Sequence, residues 1–588
     1  MNMTYQEKYQ FWLDAPYFDE KTKEELRAIA GDEKEIEDRF YRDLKFGTGG
    51  LRGVIGAGTN RMNIYTVTKA TQGLANYISE LGEKAKNQGV VIAFDSRRMS
   101  PEFSRATALC LNANGIKTYI FDSLRPTPEL SYAVRKLGCV AGVVITASHN
   151  PPEYNGYKVY WEDGAQITPP HDKNILAHVA KVEGYDQVLS MEYDAAVAAG
   201  LYNMVPASVD EDYYVELVNQ VIHSDVIPKV ADAMKIVYTP LHGTGNVPVQ
   251  EVLKRLGFTH VYVVPEQEKP DGDFPTVKSP NPENPDGFAM ALALAKKVDA
   301  DIVLATDPDA DRLGIYVKDV NKAFEGSKLA DTPDYPYVRF NANMTGALMG
   351  EYVCRERTAC GTLPENGAIC STIVSSNLPK AIADAYNLKF IETLTGFKYI
   401  GEQIKFFEEQ HTYKYVYGME ESFGCLVGDY TRDKDACGAV VMLCEVAAYY
   451  RDRGETLCDA MIEMYQKYGY YFEDAKSVTL KGVDGAKQIQ AIMDNLRANP
   501  LTEVAGIPVV AVRDYSVDTR TELATGEVSA TGLPKSNVLY YELENNAWMA
   551  VRPSGTEPKI KYYFGVNEKS LADAEKKLAE MKECCRLA

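Results

Sequence analysis

Short apolar runs alternate with longer amphipathic stretches through most of the chain. Val90–Phe94, Cys139–Ile145 and Ile302–Ala305 are continuous apolar runs of the kind that forms buried strands. Glu102–Ala113 and Val249–Leu256 have the apolar spacing of helices. This alternation predicts an α/β fold, in which helices cover the faces of a parallel or mixed sheet.

The pattern occurs in three successive parts of the chain and then changes. The first part contains the strand Cys139–Ile145, the second runs from Lys235 to Ala305, and the third from Ala368 to Tyr417. The C-terminal part predicts short strands and an amphipathic helix over Lys569–Cys585, which indicates a separate α+β domain. A chain of 588 residues is expected to hold around four domains of about 150 residues each.

The fold class predicted by these patterns is three mixed-sheet α/β domains followed by a C-terminal α+β domain. The predicted domains I to IV span residues 1–208, 209–322, 323–468 and 469–588. The highly charged segment Tyr17–Asp43 is predicted to be helical. Gly184–Pro206 and Asp319–Tyr337 are rich in turn-forming and charged residues, and they are predicted to be linkers.

Composition and charge exclude several classes of protein. The net charge is −20, and the chain lacks the basic stretches of a nucleic-acid binder. No apolar run is long enough to span a membrane, and Met1–Asp14 lacks the basic-then-apolar order of a signal peptide. The 11 scattered cysteines predict reduced thiols. We therefore expect a cytoplasmic protein with small-molecule ligands and neither nucleic-acid nor membrane partners. A monomer or homodimer is expected, although composition does not distinguish the two.

A polar cluster follows the predicted strand Cys139–Ile145 and reads Thr-Ala-Ser-His-Asn-Pro from Thr146. Open parallel sheets bind ligands at the carboxyl ends of their strands, so Ser148 is expected to lie at a binding site. Lys158 returns after a turn predicted at Pro151-Pro152 and Asn155-Gly156, and it is predicted to meet the serine hydroxyl. A serine with a nearby proton acceptor indicates a nucleophile. The alternative is a solvated loop that contains a turn-forming serine.

Three aspartates at alternate positions, Asp307, Asp309 and Asp311, follow the predicted strand Ile302–Ala305. Their carboxylates repel one another unless a cation joins them, and such oxygen ligands suit Mg²⁺. A calcium loop of the EF-hand type is disfavoured, because glycine and glutamate are missing from its sixth and twelfth positions. Two alternatives are a solvated acidic turn and a phosphatase similar to the haloacid dehalogenases, with Asp307 as nucleophile.

Two further loops each combine polar groups with glycine. Gly418–Gly424 holds two glutamates beside a serine, which can donate to and accept from sugar hydroxyls. Arg552–Lys559 combines an arginine, two hydroxyl side chains and a glycine, which predicts a phosphate cradle. An ordinary loop and a Pro/Gly turn are the respective alternatives.

These four motifs together resemble those of the α-D-phosphohexomutases, the phosphoglucomutase/phosphomannomutase superfamily. They occur in the family's order over most of the chain, and Gly47–Gly53 resembles the longer branch that includes bacterial phosphoglucomutases and phosphopentomutase-type enzymes. The resemblance implies four domains around one central cleft, with a C-terminal domain like the TATA-binding protein. It also implies Mg²⁺ as cofactor and glucose 1,6-bisphosphate as activator and intermediate.

The resemblance implies a role for each matching residue. The catalytic residues would be Ser148 as phosphoryl carrier, Lys158 as general acid/base, and His149 and Arg52 assisting it. Mg²⁺ would be bound by Asp307, Asp309, Asp311 and an oxygen of phosphorylated Ser148. The sugar would be held by Glu420, Ser422, Arg312 and Lys398, and the non-reacting phosphate by Arg552, Ser554, Gly555 and Thr556. Two alternatives stay open: His149 only holds the loop, and Arg52 only caps the glycine-rich turn.

The activity implied is the interconversion of glucose 1-phosphate and glucose 6-phosphate through a phosphoserine enzyme. Such an enzyme is an intramolecular phosphotransferase of the isomerase class. Sister specificities, phosphopentomutase or phosphomannomutase, are the first alternative. A phosphatase that uses Asp307 and a non-catalytic sugar-phosphate sensor are more distant ones. An intact Ser148, Lys158 and aspartate set disfavours the sensor, because binding alone needs no nucleophile.

Overall fold

The computed structural model describes residues 3–47, 49–332, 336–480, 482–554 and 559–584. The chain divides into two compact units. The first consists of Met1–Ile315, Gly401–Glu409 and Leu426–Glu445, and the second of Tyr316–Ile400, Gln410–Cys425 and Val446–Ala588. Among the described residues, no helix combines the length and the apolar character needed to cross a membrane.

Three short helices open the first unit: α1 (Tyr5–Asp14), α2 (Glu20–Ala28) and α3 (Glu33–Phe40). They enclose an aromatic cluster in which Trp12 stacks on Phe18 with ring centroids 4.1 Å apart. Asp19 and Asp32 cap α2 and α3 through their side chains, since each accepts a backbone N–H of the first turn. The predicted helical segment Tyr17–Asp43 is therefore divided into two helices, because Asp32 begins a new one.

The next elements form the first sheet and its covering helices. They are β1 (Gly50–Val54), α4 (Ile64–Glu80), α5 (Glu83–Gln88), β2 (Val90–Phe94), α6 (Ser100–Ala113), β3 (Thr118–Ile120), α7 (Thr127–Leu137), β4 (Ala141–Ile145), β5 (Tyr154–Trp161), α8 (His171–Ala180), α9 (Tyr193–Ala198) and β6 (Tyr202–Met204). The sheet order is β1-β5-β4-β2-β3-β6. Strands β4, β2, β3 and β6 are parallel, whereas β5 runs antiparallel to β4 and β1.

The segment Gly184–Pro206 is not the linker that its composition predicts. It contains α9, and β6 adds a parallel edge strand to the first sheet beside β3. Tyr202–Met204 is short and only partly buried, so it lacks the apolar run by which a strand is recognised in a sequence. Backbone pairing with β3 makes it a strand.

A second sheet follows, in which β9, β7 and β8 are parallel. Its elements are α10 (Ser208–Val218), α11 (Ile227–Val230), β7 (Lys235–Thr239), α12 (Asn246–Leu256), β8 (His260–Val263), α13 (Pro265–Glu268), α14 (Ala289–Val298), β9 (Ile302–Thr306) and β10 (Leu313–Lys318). All five residues of β9 are buried, so this strand is a rigid support for the loop that follows it.

A third sheet has its parallel strands β13, β12 and β14 in the second unit. The elements of this region are β11 (Tyr337–Phe340), α15 (Ala342–Ala359), β12 (Gly367–Thr372), α16 (Leu378–Ala385), β13 (Lys389–Thr393), α17 (Phe397–Gln410), β14 (Lys414–Glu420), β15 (Gly424–Val427), α18 (Ala436–Asp452) and α19 (Leu457–Tyr468). As in the first two sheets, buried parallel strands end in polar loops.

The C-terminal region is an antiparallel sheet with two helices. Its elements are β16 (Tyr470–Thr479), α20 (Gly482–Ala498), β17 (Glu503–Val504), β18 (Ile507–Asp514), β19 (Thr519–Glu522), β20 (Val528–Ser529), β21 (Leu539–Leu543), β22 (Trp548–Pro553), β23 (Lys559–Glu568) and α21 (Leu571–Cys584). The main strand order is β16-β23-β22-β21-β18-β19-β20. These sheets confirm the predicted fold class of α/β domains followed by an α+β domain.

A carboxyl group joins this antiparallel sheet to the preceding α/β region of the second unit. Glu473 of β16 accepts a hydrogen bond from Ser376 Oγ at 2.5 Å and one from Asn343 Nδ2 at 3.1 Å. Burial raises the pKa of Glu473 to about 7, although both hydrogen bonds favour the charged form. Its protonation should therefore be linked to folding near neutral pH.

We expect the stability contributed by protonated Glu473 to fall as the pH rises. The carboxyl group binds its proton more tightly in the folded chain, so the contribution is complete below pH about 4.5 and lost as the pH passes 7. Glu473→Gln removes this titration. Between pH 5 and 8 the wild type should lose stability and the variant should not. The difference in thermal midpoint, variant minus wild type, should therefore grow by an amount equivalent to about 1–3 kcal/mol in the free energy of unfolding.

The exposed Glu527 of the same region gives a matched control, Glu527→Gln, for which the difference from the wild type should not vary with pH. A difference between Glu473→Gln and the wild type that stays constant over this range would contradict the linkage.

Candidate functional site

Ser148 lies in a sharp turn directly after the buried strand β4. Its φ is 52°, in the left-handed region that a non-glycine residue occupies only at a cost of about 1–2 kcal/mol. The backbone N–H of Ser148 donates to Thr146 Oγ1 at 2.7 Å, and Thr146 Oγ1 in turn donates to Asp95 Oδ2 at 2.6 Å. These bonds hold the strained turn in place, as is common for residues at functional sites.

Arg97 supports the same turn through its guanidinium group, which is buried. It donates to the backbone carbonyls of Ser148, Asn150, Pro151 and Tyr154. Its Nε lies 3.3 Å from Asp95 Oδ2, so the buried charge is paired. Arg97 therefore fixes the main chain from the serine to Tyr154, and its planar, five-donor geometry suits this task.

Two strands that neighbour the serine turn carry Lys158 and Arg52. Gly156 lets β5 pack closely against the serine turn, because a Cβ there would lie 2.4 Å from the Thr146 carbonyl oxygen. The predicted turn is confirmed at its Pro-Pro part, where the Tyr154 N–H donates to the Pro151 carbonyl at 3.1 Å, but it is wrong at Asn155-Gly156, which belongs to strand β5. Arg52 of β1 donates through Nη1 to Asn150 Oδ1 at 3.1 Å, so it contacts the serine loop.

The serine hydroxyl meets the aspartate loop. Ser148 Oγ donates to Asp307 Oδ2 at 2.7 Å and lies 3.2 Å from His149 Nδ1. Asp307 Oδ1 accepts the backbone N–H groups of Asp311 and Arg312 at 3.1 and 3.0 Å. The structure thus brings together the two strongest motifs of the sequence, and both carboxylate oxygens of Asp307 are engaged.

The three aspartates of this loop converge, with one oxygen from each lying within 4.8 Å of the others. All three residues are buried. Asp309 Oδ1 and Asp311 Oδ1 are buried oxygens without a hydrogen-bond donor in the described part of the chain. Three buried carboxylates that converge, two of which keep an oxygen without a donor, fit a hard divalent cation such as Mg²⁺. The donor set therefore fits the predicted metal.

Two lysines partly offset the charge of the cluster. Lys158 Nζ donates to Asp309 Oδ2 at 2.7 Å and lies 3.7 Å from Asp311 Oδ2. Lys434 Nζ lies 3.3 Å from Asp311 Oδ2. The hydrogen bond of Lys158 goes to Asp309, whereas the serine hydroxyl donates to Asp307, so the structure differs from the direct contact of Lys158 with serine that we expected.

Protonation in the cluster follows from burial and from these contacts. Burial, then repulsion from Asp309 and Asp311, raises the pKa of Asp307 well above its usual range. Although burial alone would raise it, the pKa of Asp309 is lowered by Lys158 and by the hydrogen bond from Thr127. Burial disfavours the charged amine, but Asp309 and Asp311 outweigh it and raise the pKa of Lys158. Lys158 is therefore an ammonium ion.

His149 and Arg312 border the cluster. Burial, then the charges of Arg312 and Arg52, lowers the pKa of His149 well below its usual range, so the imidazole is neutral. Its backbone carbonyl accepts a hydrogen bond from Ser279 Oγ at 2.7 Å. Arg312 Nη1 lies 2.5 Å from Glu283 Oε1. A neutral imidazole beside the serine suits both roles predicted for His149, which are to assist proton transfer or only to hold the loop.

The predicted sugar loop belongs to the second unit and follows strand β14. Ser422 Oγ donates to Glu420 Oε1. Glu421 instead faces inward, where its Oε2 accepts from Thr372 Oγ1 at 2.7 Å and from Ser375 Oγ at 3.0 Å. Phe423 has a φ of 62°, which makes the turn between β14 and β15 tight. Glu420 and Ser422 are thus close together, as the prediction requires, and Glu421 has a structural role.

The remaining predicted contacts also lie in the second unit. Lys398 is in the first turn of α17, with Nζ 5.0 Å from the ring centre of Tyr399. Arg552 is on β22, paired with Lys561 on β23, and the Ser554 N–H donates to the Lys559 carbonyl at 2.7 Å. Gly555 and Thr556 lie outside the described residues, so their predicted roles stay predictions.

Sequence reasoning missed several residues of the site. Asp95 directly follows the predicted strand Val90–Phe94, but nothing in the sequence links it to the serine. Arg97, Thr127 and Lys434 contact the two loops from other parts of the chain. Long-range contacts of this kind leave no local pattern in the sequence. The structure shows that Arg97 and Lys434 are buried, which is unusual for charged side chains.

Comparison with known proteins identifies the family. The models of phosphoglucomutase/phosphomannomutase α/β/α domains I, II and III match residues 43–186, 212–321 and 341–468. A curated phosphoglucomutase of Staphylococcus epidermidis is 37% identical over 91% of this chain and 92% of its own length. A phosphoglucomutase of Staphylococcus aureus is 36% identical over 93% and 94%, respectively.

Solved structures share the fold. Parafusin, a phosphoglucomutase from Paramecium, superposes with a TM-score of 0.66 at 18% identity and covers 92% of this chain and 95% of its own. A putative phosphomannomutase from Thermus thermophilus superposes with a TM-score of 0.64 at 22% identity and covers 92% and 99%. Together with the three matched domains and the curated relatives, this similarity shows that the chain belongs to the phosphoglucomutase/phosphomannomutase family of the α-D-phosphohexomutase superfamily.

Proposed function

We propose that this enzyme is a phosphoglucomutase, which interconverts α-D-glucose 1-phosphate and glucose 6-phosphate through a phosphoserine at Ser148. The observation that carries the mechanism is the hydrogen bond from Ser148 Oγ to Asp307, at the edge of a buried aspartate cluster. The preference for glucose rests on the curated relatives, which are named phosphoglucomutases at 35–37% identity.

The reaction consists of two phosphoryl transfers. In the first, the bond from Ser148 Oγ to phosphorus breaks while a sugar oxygen bonds to phosphorus. The sugar hydroxyl loses its proton, and Ser148 Oγ gains one. The product is glucose 1,6-bisphosphate. In the second, the other phosphoryl group returns to Ser148 Oγ, which loses its proton, and the released sugar oxygen gains one. No phosphate is lost: the bisphosphate formed in the first transfer is consumed in the second, and the phosphoenzyme is regenerated.

The residues of the first unit supply proton transfer and charge. Lys158 as an ammonium ion can give a proton to the sugar oxygen that leaves in the second transfer, which suits a general acid. Asp307, Asp309 and Asp311, with an oxygen of phosphorylated Ser148, would hold Mg²⁺. When bound, the metal would offset negative charge on the transferring phosphoryl group. Arg52 and His149 would orient the serine loop or assist proton transfer.

The residues of the second unit are proposed to bind the sugar phosphate. Glu420 and Ser422 would bind sugar hydroxyls, and Lys398 and Arg312 keep the sugar-contacting roles that the family resemblance implies. Arg552, Ser554, Gly555 and Thr556 would bind the phosphate that is not reacting. Because a bisphosphate must react at both ends, we propose that one set of phosphate ligands serves both orientations of the sugar.

Arg552→Ala tests this shared use of one phosphate site. Loss of a charge-assisted hydrogen bond should lower kcat/KM by a factor equivalent to about 1.5–3 kcal/mol, roughly ten- to hundredfold. The loss should be similar with glucose 1-phosphate and with glucose 6-phosphate. Initial rates in both directions measure it, and Lys535→Ala controls for removal of one positive charge from the same region.

A loss with only one of the two substrates would show that Arg552 does not serve both orientations. The proposal of a bisphosphate that reacts at either end against one phosphate site would then be wrong.

An aspartate-nucleophile phosphatase is the rival mechanism. It is disfavoured because Asp307 is one of three converging carboxylates, a set that suits a cation, and because a serine hydroxyl, the proposed phosphoryl carrier, lies 2.7 Å from Asp307 Oδ2. The covalent enzymes also differ chemically: phosphoserine survives acid, whereas an acyl phosphate on Asp307 reacts with hydroxylamine.

A coupled assay tests the proposed activity and its sugar. The enzyme is given glucose, mannose, ribose and N-acetylglucosamine 1-phosphates in turn, with catalytic amounts of the matching bisphosphate and Mg²⁺. The highest kcat/KM is expected for glucose 1-phosphate. A clear preference for ribose or mannose 1-phosphate would assign the enzyme to the phosphopentomutase or phosphomannomutase specificity instead.

We further propose a cytoplasmic enzyme that is a monomer or homodimer, with domains at residues 1–208, 209–322, 323–468 and 469–588. The support for the location is the absence of a membrane-spanning helix among the described residues together with ten free cysteines in the same part of the chain. Light scattering would give the oligomeric state, and limited proteolysis would locate the domain boundaries.

A further inference from the structure

The two carboxylate oxygens of Asp309 have different surroundings. Oδ2 accepts a hydrogen bond from Lys158 Nζ at 2.7 Å and one from Thr127 Oγ1 at 2.9 Å. Oδ1 is buried and has no donor within the described residues. One oxygen of Asp309 is therefore held from two sides, while the other has no protein donor among the described residues.

Thr127 is well placed to fix this carboxylate. It is the first residue of α7 and is fully buried. Its backbone N–H also donates to the carbonyl oxygen of Asp309, at 2.9 Å. One residue thus binds both the main chain and the side chain of Asp309, so the carboxylate cannot rotate without breaking the Thr127 hydroxyl bond.

Lys158 alone is less suited to hold Asp309. Its Nζ lies between Asp309 and Asp311, and its long side chain has several rotatable bonds. The Thr127 side chain is short and is attached to a helix terminus whose backbone also binds Asp309, so its hydroxyl has little freedom to move away from the carboxylate.

We propose that Thr127 is a positioning residue of the metal site, whose hydroxyl holds Asp309 Oδ2 and so keeps this carboxylate oriented toward those of Asp307 and Asp311. The inference rests on the proposed function, in which these three aspartates bind Mg²⁺. Partners that orient a metal ligand in this way commonly change metal affinity by about 10- to 100-fold when they are removed.

Thr127→Val removes the hydroxyl and keeps the shape of the side chain and the backbone hydrogen bond. We expect the Kd for Mg²⁺, measured by titration calorimetry on the whole enzyme without sugar phosphate, to rise by about tenfold or more. Thr127→Ser restores the hydroxyl and should bring the Kd back to within about threefold of the wild type. Rescue by serine separates a hydrogen bond from a purely packing role.

Thr107 provides a matched control on α6, the helix that precedes α7 in the chain. It is also fully buried, but its Oγ1 has no hydrogen-bond partner in the described residues. Thr107→Val should leave the Kd for Mg²⁺ unchanged. Thermal unfolding of each variant in EDTA shows whether it is folded, and Thr127→Ala gives a second way to remove the hydroxyl if valine impairs folding.

The outcomes separate the inference from the function on which it rests. Failure of the wild type to bind Mg²⁺ would contradict the proposed metal site itself. Wild-type affinity in Thr127→Val and Thr127→Ala would overturn the role of Thr127 alone. An equal loss in Thr127→Ser and Thr127→Val would also overturn it, because the hydroxyl would then not be the group that matters.

Discussion

Ser148→Ala is expected to lower mutase kcat by about four orders of magnitude or more, the scale of loss seen when an enzyme loses its nucleophile. The variant lacks the only atom proposed to carry the phosphoryl group, so neither transfer can occur. Binding of glucose 1-phosphate should persist, because the proposed sugar and phosphate ligands are other residues. Steady-state rates and equilibrium binding on the same preparation measure the two effects.

Ser96→Ala is a suitable control for this result. Ser96 lies beside Asp95, and its Oγ is buried without a hydrogen-bond partner in the described residues. Its removal should leave kcat close to that of the wild type. If Ser148→Ala retained appreciable activity with added glucose 1,6-bisphosphate, a phosphoserine at this position would not be part of the reaction.

The second large effect is expected at the aspartate cluster. Asp309→Asn keeps the size of the side chain but removes a negative charge from three converging carboxylates. It should weaken Mg²⁺ binding and lower kcat by roughly a hundredfold, comparable to the loss of one preorganised electrostatic contact. Activity measured over a range of Mg²⁺ concentrations separates weaker metal binding from a slower reaction at saturating metal.

A buried aspartate elsewhere controls for the loss of a carboxylate. Asp319 accepts the backbone N–H groups of Ala323 and Phe324, and it is not part of the cluster. Asp319→Asn should not change the dependence of activity on Mg²⁺. Wild-type activity that survives exhaustive treatment with EDTA would contradict the metal role of the cluster.

The two central loops were predictable because each follows a continuous apolar strand. Strands of this kind are recognised from sequence, and ligands bind at their carboxyl ends in open α/β sheets. Ser148 and Asp307 therefore stood out as polar residues at strand ends, and the structure joins them by a hydrogen bond of 2.7 Å. The order of the motifs along the chain then identified the family.

The supporting residues were not predictable for a physical reason. Arg97 and Thr127 act through contacts with residues 51 and 182 positions away along the chain. A sequence read locally shows an arginine after a strand and a threonine at the start of a helix, and both patterns are common on protein surfaces. Their function arises only after the sheet has brought the distant loops together.

Local composition also misled at Gly156 and at β6. Asn-Gly pairs favour turns, but Gly156 is in strand β5, where it pairs with Arg52 of β1. Glycine is needed at this position because the Thr146 carbonyl oxygen leaves no room for a Cβ. Tyr202–Met204 lies in a segment of linker-like composition, but the exposed edge of β3 was available for pairing. In both places, contacts with distant backbone outweighed the local preference.

The central claim is that Ser148 carries the phosphoryl group of the reaction, and locating the covalent phosphate tests it most directly. The enzyme is incubated with radiolabelled glucose 1,6-bisphosphate and Mg²⁺, digested, and the labelled peptide is sequenced by mass spectrometry. We predict an acid-stable phosphate on Ser148 that is lost to unlabelled glucose 1-phosphate at a rate compatible with turnover. A hydroxylamine-sensitive phosphate on Asp307, or a label on Ser148 that does not exchange with substrate, would contradict the account.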